Sequence, residues 1–267
     1  MADEVHAAMA PAVVAPVSVW LTHDDALLRV RLARPKANLI DEAMIHALAS
    51  TFAAQRARRG LRGVLLDAEG PHFSFGASVE EHLPGRCAGM LAALHGLIVA
   101  MLEFPAPILV AIRGQCLGGG LEVALAGSRI FATPDARLGQ PEIRLGVFAP
   151  AASVLLPLRV REAVAEDLLW SGRSIGGEDA LELGLVDATS PDPEAAAIAW
   201  FETELAPRSA SSLACAVTAV RAPVVARVRR RLAEVERLYL DTLMATRDAN
   251  EGLTAFVEHR APRWEHH

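Results

Sequence analysis

Lysine is almost absent from this chain. Lys36 is the only one, and arginine supplies the rest of the positive charge. The formal net charge is -6, which argues against a nucleic-acid partner, because such a partner selects a basic face. Cysteine is scarce too. Cys87, Cys116 and Cys215 are odd in number and form no C-x-x-C pair, so neither a disulfide framework nor a metal site is expected. No apolar run reaches roughly 18 residues without a charge, the length a membrane span needs. Met1 to Pro16 is rich in alanine and proline but lacks the basic start and apolar centre of a signal peptide. A flexible tail over 1–16, no membrane association and a cytoplasmic location are the expectations. No internal repeat is visible.

Two nucleotide-binding patterns are also missing. Gly118-Gly119-Gly120 does not fit G-x-G-x-x-G, and no G-K-[ST] follows it, so neither a dinucleotide fold nor a P-loop is supported.

What is present is apolar bulk. The chain of 267 residues is 52% hydrophobic, enough for one large domain with a sizeable core. Val17 to Thr22 and Leu27 to Leu32 read as strands, the second with Leu28, Val30 and Leu32 alternating with Arg29 and Arg31. Asp41 is placed to cap a helix running to about Arg59, with Ile45, Leu48 and Phe52 inward. Gly63 to Ala68 and Ile108 to Ile112 are buried strands, and Pro84 to Phe104 carries an apolar helix with His95 in its middle. A lone histidine on such a helix reads as a core or interface residue. Two helices follow around Ala151 to Leu158 and Arg161 to Trp170, a third covers Gly177 to Leu183, and Leu185-Val186-Asp187 reads as a last strand. Strands alternating with helices imply an α/β core over 17–191. From Asp192 onward the pattern is helical only, with Val228, Leu232, Val235, Leu238 and Leu243 on one stripe of a helical region over 192–267. Arg227 to Arg231 reads as a solvated helix face.

The chemistry concentrates in three segments. In Pro107 to Glu142 a strand runs into the triple glycine and then a helix, which presents free N–H groups and a helix dipole to a negative oxygen. Glu122 lies inside that apolar helix, and a buried glutamate needs a partner or a purpose. Glu142 follows Pro141, which keeps Gln140 out of helical geometry and implies a loop. Upstream, His72 to Ser78 makes a second glycine turn that offers the N–H of Ala77. Two loop amides and two carboxylates are the parts of a site that stabilises an oxyanion and moves protons.

FSFGAS (73–78), QCLGGGLE (115–122) and LGQPEIRLG (138–146) resemble the three signature segments of the crotonase superfamily, the enoyl-CoA hydratases and isomerases. LARPKAN (32–38) and EGLTAFVEHR (251–260) match as well, so the similarity runs from Val17 onward. The resemblance implies an α/β fold built as a spiral of ββα units, followed by C-terminal helices that build trimers, often paired into hexamers. It implies an acyl-CoA thioester as substrate, with coenzyme A part of that substrate and no separate cofactor or metal. The superfamily's oxyanion donors fall on Ala77 and Gly119. Its catalytic glutamates fall on Glu142, as proton donor to carbon, and Glu122, as the group that holds and deprotonates water. Isomerases usually keep one carboxylate here, so the pair implies a hydratase. Lys36 matches a position that meets CoA phosphate, with Arg260 or Arg263 helping from a neighbouring subunit. Phe75, Gly76, Gly118, Phe148 and Ala151 fall on substrate-binding positions.

Two departures stand out. Phe148-Ala149-Pro150-Ala151-Ala152-Ser153 replaces the frequent I-P-G-x-G-G, and Ala77-Ser78-Val79-Glu80 replaces A-D-[IL]-K. The first puts methyl groups where they reshape the pocket floor. The runs Pro71 to Leu83 and Gly139 to Ser153 resemble members acting on a compact, conjugated cyclic dienoyl thioester. A short-chain enoyl-CoA hydratase, or an isomerase using Glu142 alone, is the alternative.

Overall fold

The computed structural model describes residues 15–267. The expected tail lies, through residue 14, outside the described residues.

Among the described residues nine strands form two sheets: β1 Val17–Thr22, β2 Leu27–Leu32, β3 Gly63–Ala68, β4 Ile108–Ile112, β5 Gln115–Leu117, β6 Arg129–Ala132, β7 Arg137–Gly139, β8 Ser174–Gly176 and β9 Ala188–Thr189. The larger sheet runs β1-β2-β3-β4-β6-β9 and the smaller β5-β7-β8. The β1–β2 and β7–β8 pairs are antiparallel, and the other pairs of these strands are parallel. The helices are α1 Glu42–Gln55, α2 Cys87–Leu102, α3 Gly119–Leu125, α4 Pro150–Leu155, α5 Glu162–Ser171, α6 Gly177–Glu182, α7 Pro193–Trp200, α8 Ala210–Arg237 and α9 Arg247–Val257.

The two sheets explain the winding. β4 joins the large sheet, β5 the small one, and α3 follows; β6 and β7 repeat the step before α4. An isolated bridge between Ser74 and Cys116 brings the segment after β3 into the same arrangement. Each ββα turn therefore delivers its second strand, and the loop beyond it, to one side of the molecule.

Asp41 caps α1 as expected, its carboxylate accepting from Met44 N–H at 2.9 Å. Ile45, Leu48 and Phe52 are buried, but the helix ends at Gln55 rather than near Arg59. The β2 face carrying Arg29 is more enclosed than alternation predicts. Arg29 is buried and donates to Asp67 at 2.9 Å and Glu194 at 2.5 Å, and Arg31 donates to Asp67 at 2.8 and 2.6 Å. The cause is α7, which lies over that face and brings Ala197, with Phe201 just beyond it, against Leu27, Leu65, Leu109 and Phe131. A sheet buried on both faces must pair the charges it encloses.

His95 sits between α2 and α8, with Nδ1 2.6 Å from Glu236 Oε2. The stripe on α8 buries Val228, Leu232 and Val235 and continues to Tyr239. Leu238, expected inward, is 52% exposed, because four residues beyond Val235 is the better phase for this face. Helical structure continues through a π-helical turn Leu238–Thr242 and a 3-10 turn Leu243–Ala245. By length and composition alone, the segment Ala210–Ala245 suffices to cross a membrane, and little of its most apolar window is buried.

Candidate active site

Helix α3 is seven residues long and buried throughout. Its N-cap, Gly118, has φ +49° and ψ −129°, a conformation essentially reserved for glycine. Gly118 N–H donates to the Gly139 carbonyl at 3.0 Å. That bond ties the start of α3 to β7, and so to the segment that carries Glu142. Any Cβ on Gly118 would lie 2.5 Å from Glu142 Oε1, and one on Gly119 would lie 3.2 Å from Ala77 N. The glycines are therefore where two backbones and a carboxylate meet without side chains between them.

The second turn is held from below. Gly76, at φ +107°, donates to Ser74 Oγ at 3.1 Å, and that hydroxyl donates to the Asn38 carbonyl at 2.8 Å. Among the described residues, neither the Ala77 nor the Gly119 amide has a protein acceptor. Two adjacent free N–H groups suit an oxygen that gains negative charge.

Glu142 stands at the start of a 3-10 turn, Pro141–Leu145, not in an open loop. Proline bars helical geometry at Gln140 but suits the first position of the turn itself. The buried Gln140 amide, oriented to satisfy both of its ends, donates to the Glu142 oxygens at 3.1 and 3.2 Å. Glu122 is buried, and its Oε1 accepts from the Ala152 N–H at 2.8 Å. Burial pushes Glu122 up to about 7, against the opposing pull of the Ala152 and Ala151 amides. Burial and the Glu122 charge push Glu142 up to about 8. Between those values such a pair holds one proton shared between the two carboxyls.

A cavity of about 370 Å³ opens on this group. Phe75, Gly76, Ala77, Gly118 and Glu142 line it. Gly119, whose Cβ would lie 3.1 Å from that of Ala77, and the buried Glu122 are not in its lining. Two expected wall residues lie elsewhere. Phe148 packs edge-on against Tyr239 with ring centroids 5.4 Å apart, and Ala151 is in the core. Pro150 starts α4, turning these side chains away and leaving the α4 amides facing Glu122. Tyr239 is buried, and its hydroxyl has no partner among the described residues.

Lys36 is exposed on a turn beside the site, where Phe75 N–H donates to the Ala37 carbonyl at 2.9 Å. Arg260 is engaged by Glu251 at 2.6 and 2.8 Å and by Glu258 at 2.6 Å, and the Arg263 N–H donates to Glu251. Among the described residues, no three His, Cys, Asp or Glu side chains cluster as metal ligands.

His82, Leu253 and Phe256, which none of the sequence motifs gives a role, also line the cavity. The signal for the last two is the strong amphipathic pattern of α9. Gly252 lets α9 approach, since a Cβ there would stand 2.1 Å from the Leu145 carbonyl oxygen.

The sequence profile described as enoyl-CoA hydratase/isomerase matches residues 22–267. The chain is 61% identical over 250 residues to the cyclohexa-1,5-dienecarbonyl-CoA hydratase of Thauera aromatica, covering 94% of this chain and 97% of that protein. It is 32% identical to a probable enoyl-CoA hydratase of Bacillus subtilis, covering 93% and 98%. Among solved structures, an enoyl-CoA hydratase/isomerase from Pseudoalteromonas atlantica superposes with a TM-score of 0.82 at 26% identity, covering 93% of this chain and 99% of that one.

Proposed function

The chain belongs to the enoyl-CoA hydratase/isomerase family, and we propose that within it the protein hydrates a cyclic conjugated dienoyl-CoA. It is a hydro-lyase with the crotonase fold. The substrate is cyclohexa-1,5-diene-1-carbonyl-CoA and the product 6-hydroxycyclohex-1-ene-1-carbonyl-CoA, a step of anaerobic benzoyl-CoA breakdown. The observation that carries this reading is the 61% identity, over nearly the whole chain, to the Thauera hydratase. Coenzyme A is part of the substrate.

The site chemistry fits the reaction. The thioester oxygen lies against the Ala77 and Gly119 amides. Glu122 takes a proton from water as the water oxygen bonds to the ring carbon β to the carbonyl. Negative charge spreads through the thioester and the second double bond as a dienolate. Glu142 then delivers its proton to the far end of the diene, across the ring. The proton taken by Glu122 and the one given by Glu142 balance the addition, and the pair returns to one shared proton. A cavity with Phe75, Leu253 and Phe256 in its wall suits a compact hydrocarbon ring.

The test is kcat/KM for the cyclic diene against crotonyl-CoA. A clear preference for the diene is expected. Preference for crotonyl-CoA makes the protein a short-chain hydratase.

Lys36, exposed beside Phe75, pairs with a CoA phosphate outside the reacting centre. Lys36→Ala should raise KM severalfold with kcat nearly unchanged, the pattern of lost uniform binding. A fall in kcat at constant KM would move Lys36 into the chemistry.

The protein assembles as a trimer or a dimer of trimers. Val220 on α8 is 75% exposed and Leu238 52% exposed, and apolar surface of this kind on a long helix marks an interface. Light scattering at micromolar concentration should give at least three times the 28.4 kDa chain mass; a monomer mass overturns the assignment.

A further inference from the structure

His82 ends the 3-10 turn Val79–His82, which begins just after Ala77. It lines the same cavity as Glu142, yet the two-glutamate chemistry leaves it no task. Its Nδ1 lies 2.8 Å from the Ser78 carbonyl oxygen. A carbonyl oxygen only accepts, so Nδ1 carries the hydrogen. Burial pushes the ring's pKa down, so the imidazole is neutral near pH 7. Nε2, on the opposite side of the ring, is therefore a bare lone pair, and among the described residues no protein donor reaches it.

A neutral acceptor in a wall shared with Val79, Leu117, Leu253 and Phe256 calls for a donor from the ligand. A cyclic dienoyl group has none. The hydroxyl that hydration installs on the ring has one. Resting on the reading above, we infer that His82 is the specificity residue for the alcohol: Nε2 accepts a hydrogen bond from the ring hydroxyl and from the water that becomes it. The glutamates then handle protons while His82 fixes the oxygen.

The experiment compares two ligands on the full chain, in a Glu142→Gln background that slows turnover. The dissociation constants of 6-hydroxycyclohex-1-ene-1-carbonyl-CoA and of cyclohex-1-ene-1-carbonyl-CoA, which lacks the hydroxyl, are measured by calorimetry with and without His82→Leu. The hydroxylated ligand should weaken by about tenfold, the scale of one net hydrogen bond, and the other by less than twofold. His82→Gln, whose side-chain carbonyl can accept, should restore most of the loss. Unchanged binding of the unhydroxylated ligand also reports an intact fold. Equal weakening of both ligands assigns His82 to the shared CoA portion or to the fold and overturns the inference, as does no change in either. If the unmodified protein hydrates crotonyl-CoA but not the cyclic diene, the substrate reading fails and the inference about His82 falls with it.

Discussion

Glu142→Gln should cut hydration by about a hundredfold or more, and Glu122→Gln should do the same, because each removes a proton-transfer step while keeping the shape of the side chain. The two losses have different origins. Glutamine at 142 keeps its amide beside Gln140 but cannot give a proton to carbon. Glutamine at 122 can still receive the Ala152 N–H, now seen at 2.8 Å, but cannot accept a proton from water. Steady-state hydration of both variants checks this; near-normal turnover by Glu122→Gln would point to a single-carboxylate, isomerase-like mechanism. The pH profile should be a narrow bell. Activity needs Glu122 ionised and Glu142 protonated, so it rises through about 7 and falls through about 8, as macroscopic values of the pair. Stability runs the other way. Both carboxyls have raised pKa values, so the folded chain holds protons that the unfolded chain releases as pH climbs from 4.5. Stability is therefore fully present at low pH and lost as pH rises toward 8. Glu142→Gln, which cannot ionise, should raise Tm at pH 8 while removing activity.

Gly118→Ala should be almost as damaging, although it adds one methyl group. At φ +49° and ψ −129° alanine carries strain of about 1–3 kcal/mol. Its Cβ would stand 2.5 Å from Glu142 Oε1, so the carboxylate must swing out or α3 must shift. Either movement shifts Glu142 relative to the start of α3, and displacements of this size at a reacting group typically cost about a hundredfold in rate. We expect that loss in kcat/KM together with a Tm lower by several degrees. Gly96→Ala is the control. Nothing lies within 4 Å of a Cβ there, and alanine inside α2 should stabilise by roughly 0.5–1 kcal/mol. Equal behaviour of the two variants in calorimetry and turnover would remove the special role of Gly118.

Much of this was legible in the sequence, for identifiable reasons. β1 to β4 fall where alternation or an unbroken apolar run predicts, because each has five or six residues over which the pattern repeats. β5, β7 and β8 have three residues each, too few for a period, and exist through pairing with distant segments. Leu185-Val186-Asp187 looks like a strand but is a turn. Gly184, at φ +81°, wraps the chain back so that the Leu185 and Val186 amides both donate to the Ala180 carbonyl, and the strand begins at Ala188. The glycine turns were legible because the backbone at Gly76 and Gly118 demands glycine, and Glu122 stood out as a glutamate inside an apolar helix. The far wall was not, since Leu253 and Phe256 reach the cavity through the packing of α9 on the turn after Glu142. Phe148 misled because its neighbours fit a loop lining, whereas Pro150 starts a helix that turns it toward Tyr239.

The approach of α9 to Leu145, permitted by Gly252, has a consequence for how the protein is made. A ribosome delivers this chain from its N-terminus. The free amides, both glutamates and His82 precede the stretch carrying Leu253 and Phe256 and leave the ribosome before it. Until α9 emerges, the groups proposed to react have no closed cavity. A nascent chain thus carries the proposed reacting groups before it has a place to hold a ring, and the enclosure arrives with α9.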